Sequence, residues 1–464
     1  MPRETATCGL CPCVQRCADV LHLIKPFFAE TEYRVHTVSL LAYKSQVFPR
    51  MVTVRQALYS APLSDEDLIA AVRSQVARMD AENQITADRR VAIAAGSRGI
   101  DRYDQIVRTV VEEIKARGAD PFVFPAMGSH GGATADGQTG VLARLGITEQ
   151  SVGCPIRATM DVVTLGETEH GVPVVLDRYA SQADAVVLVN RVKPHTNFHG
   201  PIESGLMKML AIGAGKHVQA SNIHRYGVTG LRDYMPDVAR VSLQTAPIVG
   251  GIAILEDARH ETSRIVGVAA AQMEQQEAEL LDGIRDYQPK LPVDALDVLI
   301  VDRIGKELSG TGMDPNVIGR CRLLDFHAFP TPRIGAIAVL DLSDDTHGNA
   351  IGIGMADVTT RRAADKIDPR STYTNATIGF SPAMAATPIT AGSDQDAIRL
   401  ALDYLTEPKP LEQIRVIHIP DTLNLETMTV SQCVADELAN CESITLIAEP
   451  REMTFDADGN LQDG

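Results

Sequence analysis

Short apolar runs that each end in a glycine-bearing loop, with amphipathic helical stretches between them, restrict this chain more than any other feature. Arg90-Val-Ala-Ile-Ala-Ala leads into Gly96-Ser97-Arg98-Gly99, and the stretch from Tyr103 to Arg117 then places Ile106, Val107, Val110, Val111 and Ile114 on one helical face. Pro121-Phe-Val-Phe-Pro-Ala-Met is the next strand, ending in Gly128-Ser129-His130-Gly131-Gly132. Strand, loop, helix, strand is the order of βαβ units on a mostly parallel sheet. In such sheets ligands sit at the loops beyond strand C-termini.

The pattern recurs along the chain. Ser64 followed by Asp-Glu-Asp predicts a capped helix running to about Asp80. Ala185-Val-Val-Leu-Val is a continuous apolar strand that runs into Asn190-Arg-Val-Lys-Pro-His195. After a helix over Gln272–Arg285 and a Pro289-Lys-Leu-Pro292 linker, Leu296-Asp-Val-Leu-Ile-Val-Asp feeds a loop from Gly305 to Gly312. Ile334–Leu340, Ile414–Ile419 and Ser443–Ala448 read as further strands. The expected fold class is therefore α/β, with two α/β domains of mostly parallel sheet and an active-site cleft between them. The expected division is an N-terminal extension over 1–50, a first domain over 51–290 and a second over 291–464.

Charge narrows the partners. With 43 Lys+Arg against 60 Asp+Glu the formal charge is −17, and an acidic surface repels polyphosphate, so no nucleic-acid role is expected. No apolar run reaches the roughly 18 residues of a membrane span, and the start lacks a signal-peptide pattern, so a cytoplasmic location without membrane contact is expected. Four of the eight cysteines, Cys8, Cys11, Cys13 and Cys17, crowd the first 17 residues with spacing C-x2-C-x-C-x3-C. Thiolates so spaced could hold a soft metal, but no second ligand pair follows at zinc-finger spacing, and the segment reads as an extension.

Histidine carries more information. An even spread of the 12 histidines would place about one in thirty residues, yet His195, His199, His217 and His224 share a single such window. A lone histidine is usually a satisfied surface or core group; a cluster in strand-end loops points to metal ligation or proton transfer. Glycines at 128, 131, 132, 200, 205, 213 and 215 surround these groups without forming a Walker or dinucleotide fingerprint. Gly213-Ala-Gly215-Lys216 is the most phosphate-like of them, and only weakly so.

Gly128-Ser-His130, Lys193-Pro-His195, Ser204-Gly-Leu-Met-Lys208 and Asn222-Ile-His224 together resemble the nickel-dependent lactate racemase family and its 2-hydroxyacid racemase and epimerase relatives. The resemblance runs from about Met51 to the C-terminus and is strongest between 125 and 225. The interval of sixteen residues from Lys208 to His224 matches that between the family's cofactor-bearing lysine and its nickel-ligating histidine. The resemblance implies a nickel pincer nucleotide of the pyridinium-3-thioamide-5-thiocarboxylic acid mononucleotide type, tethered to Lys208, with His224 completing the nickel coordination. It further implies His130 and His195 as the acid–base pair and Arg98 toward the substrate, and Ser97, Gly200, Ser204 and Gly205 are expected around the cofactor. Lys306, at the end of the strand Leu296–Asp302, is expected to approach the site across the cleft because strand C-termini face ligands. A small carboxylate substrate and cofactor-synthesis partner proteins follow from the same likeness.

Three departures mark a divergent branch. Ala95 stands where the family has an aspartate before its Thr-Arg. The Pro-His segment is longer and brings in His199, so that His195 or His199 could be the working base; the preceding Pro194 favours His195. The stretch from Gly305 to Asn316 does not follow the founding lactate enzyme. The chemistry explains the residue types. A proton next to a carboxylate is too weakly acidic for a side-chain base alone, whereas hydride removal from C2 needs an acceptor, an imidazole for each hand of substrate and a cation for the carboxylate. Two other classes use the same residues: a metal-dependent hydrolase or lyase, and a non-catalytic nucleotide- or metal-binding protein.

Overall fold

Ser64 opens the first helix, Asp65–Met79, by accepting from the backbone N–H of Asp67, and three acids in the first turn complement the helix dipole. Leu68, Val72, Val76 and Met79 lie on its buried face. The next helix, Tyr103–Ala116, buries the apolar stripe that its periodicity predicts. The computed structural model describes residues 48–323, 329–379, 381–406 and 409–462. The four clustered cysteines lie outside the described residues.

The first sheet has five strands in the order Asp120–Pro125, Arg90–Ala95, Ala185–Arg191, Ile248–Glu256 and Thr262–Ala269. The first four run parallel and the last is antiparallel at the edge. The second sheet has eight strands. Ile389–Ala391, Val358–Thr360, Arg333–Leu342, Ala295–Ile304 and Val416–Ile419 are parallel neighbours in that order. Thr427–Ser431, Met51–Gln56 and Ile444–Leu446 extend it as antiparallel partners. The chain is thus α/β with two mostly parallel sheets, and both belong to one compact unit, Phe48–Gly464.

Two features were not legible beforehand. Met51–Gln56 precedes every strand of the first sheet, yet it pairs in the second; Val52 and Val54 face inward and pack with Leu299, Ile417 and Val430. The hairpin of Ile248–Glu256 with Thr262–Ala269 was also missed. Its first strand is buried at all nine positions, and the Gly250-Gly251 pair inside it breaks the usual strand signature. Among the described residues no helix is long and apolar enough to cross a membrane.

The parallel order has a direct consequence for function. Strands 90–95, 120–125 and 185–191 end side by side, so the loops after them, carrying Arg98, His130 and His195, open at one edge.

Candidate functional site

Each strand-end loop is held by identifiable bonds. The backbone N–H of Gly96 donates to the Tyr103 hydroxyl at 2.8 Å, and that hydroxyl donates to the Val189 carbonyl at 2.7 Å. One buried phenol therefore staples the start of the Ser97–Arg98 loop to the end of the adjacent strand. Gly128 takes a φ of +60°, which favours glycine, and its carbonyl accepts from Gln138 Nε2 at 2.8 Å. The turn delivers His130 to Ser97, whose Oγ hydrogen-bonds His130 Nδ1. Ser97, expected beside a cofactor, is thus the partner of a histidine.

Beyond the strand Ala185–Arg191, the backbone of Lys193 bridges to Ser204, with its N–H donating to the Ser204 carbonyl at 2.8 Å. Inside this closed loop the His195 N–H donates to Glu203 Oε2 at 2.6 Å, and the Asn197 N–H donates to His195 Nδ1 at 2.9 Å. Glu203 is fully buried, and its Oε1 accepts from the Gly200 N–H at 3.0 Å, from His199 Nδ1 at 3.2 Å and from Arg285. Burial pushes the Glu203 carboxyl up, but these hydrogen bonds outweigh it and hold the group below its ordinary value. No sequence motif flagged Glu203. Its position four residues after His199 was the available signal.

Lys208 ends a short helix, Leu206–Lys208, that continues as a π-helical turn over Met209–Gly213. π-turns are rare and concentrate at functional sites. The free N–H groups at the start of this helix meet a buried acid: Met207 donates to Glu277 Oε2 at 2.9 Å. Gly205 is required there, since a Cβ would lie 2.4 Å from the Glu277 carboxyl carbon. Asn190 Nδ2 donates to the Gly205 carbonyl at 2.8 Å and ties the helix start to a sheet strand. The Lys208 ammonium has Ser204 Oγ at 3.4 Å.

His224 was expected in a loop; it is the last residue of the helix Lys216–His224. His217, the other candidate there, is exposed. Lys216 corrects the phosphate reading of Gly213–Lys216. Its ammonium is fully buried, pairs with Asp177 at 3.0 Å, and donates to the Pro125 carbonyl and to Gln138 Oε1 at 3.2 Å. With those partners it clamps the His130 loop to the helix of His224 and offers nothing to an anion.

The second sheet closes the site from the other side. A Cβ at Gly310 would lie 3.2 Å from Arg98 Nη2, and Asn316 Nδ2 donates to the His195 carbonyl at 3.2 Å. The Lys306 N–H donates to Thr346 Oγ1 at 3.1 Å, and its ammonium hydrogen-bonds Asn375 Oδ1. A separate depression of about 540 Å³, lined by Pro369, Arg370, Tyr373, Thr374 and Thr377, contains none of the candidate residues.

Electrostatics join these groups into one cluster. Burial, followed by the charges of Arg98, Lys306, Lys208 and His224, lowers His130 to about 3. Burial and then Lys208, Lys193, His224 and Arg98 hold His195 well below its usual range. His224 falls to about 4, through burial and Lys208. Lys208 falls to about 7 through burial, Arg98 and Lys193; Lys193 and Lys306 each fall to about 8 through burial first, then neighbouring arginines. Arg98 and His130 are both exposed to solvent although much of the protein lies close around them. Solvent screening weakens the effect of burial on these two, and the direction of each shift is what the surrounding cations support. No carboxylate among the described residues forms an ion pair with Arg98, Lys193, Lys208 or Lys306. Cations crowded together with no carboxylate in direct contact, and only Asp314, Glu256 and Glu203 acting on Lys193 and Lys208 from farther off, call for an anionic ligand.

The expected residues Arg98, His130, His195, Lys208, His224 and Lys306 are thus brought together electrostatically. Gly200 serves Glu203, and Ser204 contacts Lys208. Lys193 was quoted only as part of the Pro-His motif, and the structure adds it to the cation cluster.

Residues 46–229 match the family described as the lactate racemase N-terminal domain. Among curated proteins no relative matches the chain. Two solved structures are similar. One is the lactate racemase apoprotein from Thermoanaerobacterium thermosaccharolyticum, at 11% identity and a TM-score of 0.47, covering 80% of this chain and 99% of that one. The other is a protein from Thermotoga maritima, at 13% identity and a TM-score of 0.45, covering 61% of this chain and 72% of that one.

Proposed function

Through residues 46–229 the chain is a divergent member of the lactate racemase-like family, and on that premise we propose that it racemises or epimerises a 2-hydroxy acid with a nickel pincer nucleotide. The observation that carries the reading is the cluster of unpaired cations and neutral imidazoles around Lys208.

The residues present fit the implied cofactor. An ammonium at Lys208 is costly, with burial and two cations against it and only a hydroxyl at 3.4 Å as partner; an amide-linked nitrogen carries no charge and removes that cost. Among the described residues no three His, Cys, Asp or Glu side chains converge to hold a metal. A metal here would take one imidazole, His224, and its other donors from the cofactor, which suits nickel with nitrogen and sulfur ligands. When bound, that group would supply a reversible hydride acceptor for C2 of the substrate.

The chain's own residues bind the substrate and move the proton. Arg98 presents a guanidinium fork for the carboxylate, and Lys306 adds charge from the second sheet. His130 and His195 approach the hydroxyl from different loops. His130 can take its proton on Nε2, while His195, as the Nε2–H tautomer, offers that N–H to the oxygen. His195 would act as the base for the other hand only after Nδ1 gives up the Asn197 N–H. Both rings are neutral at pH 7 in the free protein. An arriving carboxylate offsets the cationic field and raises the proton affinity of both, so substrate binding itself readies them. The tautomers differ. The Asn197 N–H can only donate, so neutral His195 carries its proton on Nε2. His130 faces a hydroxyl that can donate or accept, and its Nε2 is free to take a proton.

The test uses protein co-produced with a nickel-pincer synthesis pathway. Incubation with single enantiomers of 2-hydroxy acids should erode optical purity, and the holo-protein should carry an adduct on the 204–210 segment that Lys208→Ala lacks. Retention of optical purity across mono-, di- and polyhydroxy acids by nickel-loaded protein would refute the reading.

A further inference from the structure

Glu203 occupies a position that neither the family likeness nor the proposed chemistry requires. Its carboxylate has no exposed surface, and its two oxygens receive four donors. Oε2 takes only the His195 N–H, at 2.6 Å. Oε1 takes the Gly200 N–H, the His199 ring and Arg285, whose other guanidinium nitrogen holds Asp282. His199 is thereby committed. Its Nδ1 is spent on Glu203 and its ring packs edge-on against Phe329, with centroids 4.7 Å apart. His195 is held at two points, by its own N–H on Glu203 and by its Nδ1 on the Asn197 N–H, and its ring packs on Phe198 at 4.6 Å.

We propose that Glu203 is the positioning residue of this loop: its buried carboxylate holds the His195 backbone where the Asn197 N–H meets Nδ1, and so keeps the ring toward the reacting oxygen as the Nε2–H tautomer, with His199 and Arg285 as anchors that keep the carboxylate in place. The role of His195 rests on the racemase reading; the loop geometry does not. Fixing a reacting imidazole to a fraction of an ångström matters because small misplacements of a proton-transfer group cost rate steeply. The choice between the two histidines of this loop follows from their partners. His195 sits in the field of Lys208, Lys193, His224 and Arg98, whereas His199 faces Glu203, Arg285 and Phe329.

Glu203→Gln tests this without a change of size. The new amide must point its NH₂ at one side of the site, and three donors on the Oε1 side outnumber the single one on the Oε2 side. The NH₂ therefore faces the His195 N–H, and that hydrogen bond is lost while the anchors stay. In cofactor-free protein with ¹⁵N-labelled histidine, assigned through His195→Gln, nitrogen shifts should show His195 as the Nε2–H tautomer and a mixture of tautomers in Glu203→Gln. In the loaded enzyme Glu203→Gln should lower kcat at least tenfold with KM within about threefold. His199→Gln keeps a donor for Glu203 and should retain at least a third of kcat, while His195→Gln should lose at least a hundredfold. An unchanged His195 tautomer in Glu203→Gln, or kcat within threefold of the parent, overturns the proposal. So does a His199→Gln loss equal to that of His195→Gln, since His199 would then be the reacting group. If no 2-hydroxy acid is turned over by the parent, the racemase reading fails and the nitrogen shifts still decide the role of Glu203.

Discussion

Replacing Lys208 by methionine should make the cofactor-free protein more stable at neutral pH, although the lysine lies at the centre of the site. The ammonium is lowered from 10.5 to about 7 by burial, then by Arg98 and Lys193, with Glu203 acting in the opposite sense. A shift of that size corresponds to about 5 kcal/mol, at about 1.4 kcal/mol per unit. The side chain keeps partial contact with solvent, and screening together with small rearrangements reduces the expected gain to about 1–2 kcal/mol. The sign follows from proton linkage. Between pH 7 and 10.5 the unfolded chain holds a proton on Lys208 that the folded chain releases, so folded wild type gains stability as pH rises through that window. Methionine has no such proton. The advantage of Lys208→Met should therefore be largest at pH 7 and below and shrink toward pH 10. Urea midpoints at pH 7 and pH 9.5 measure this directly. A variant less stable than wild type at pH 7, or an advantage that does not change with pH, would show that Lys208 is not a strained cation and would remove the main support for an uncharged, tethered nitrogen there.

Other outcomes follow from the same cluster. Lys306→Ala should lower kcat/KM at least tenfold, a loss of about 1.4 kcal/mol, because this cation reaches the field of His130 from the second sheet; a loss within twofold marks it as a surface group. Binding of oxalate to the cofactor-free protein at pH 8 should take up protons, since an anion raises Lys193 and Lys306 from about 8 and so refills groups that are partly deprotonated. Calorimetry in buffers of different ionisation enthalpy reads the uptake, and a heat independent of buffer contradicts it.

Local pattern carried the sequence reading a long way. Helices 65–79 and 103–116 and the strands ending at Ala95, Pro125 and Arg191 follow from the period of apolar residues and from Ser64 as a cap. Those elements imply parallel order, and parallel order implies that Arg98, His130 and His195 emerge at one edge. Pairing across long separations was decided elsewhere. Nothing near Met51–Gln56 indicates that it belongs beside Thr427–Ser431, because strand partners are chosen by the available core and not by neighbours in the chain. The same holds for buried charge. From the sequence, Lys208, Lys216 and Lys306 are three lysines within a few residues of a glycine. Tertiary structure gave Lys216 a buried Asp177 and carbonyl partners, gave Lys306 a side-chain amide, and left Lys208 among other cations with a single hydroxyl. A side chain's charge partners come from several elements at once, and so its ionisation, unlike its helix or strand, is set only when the whole chain has folded.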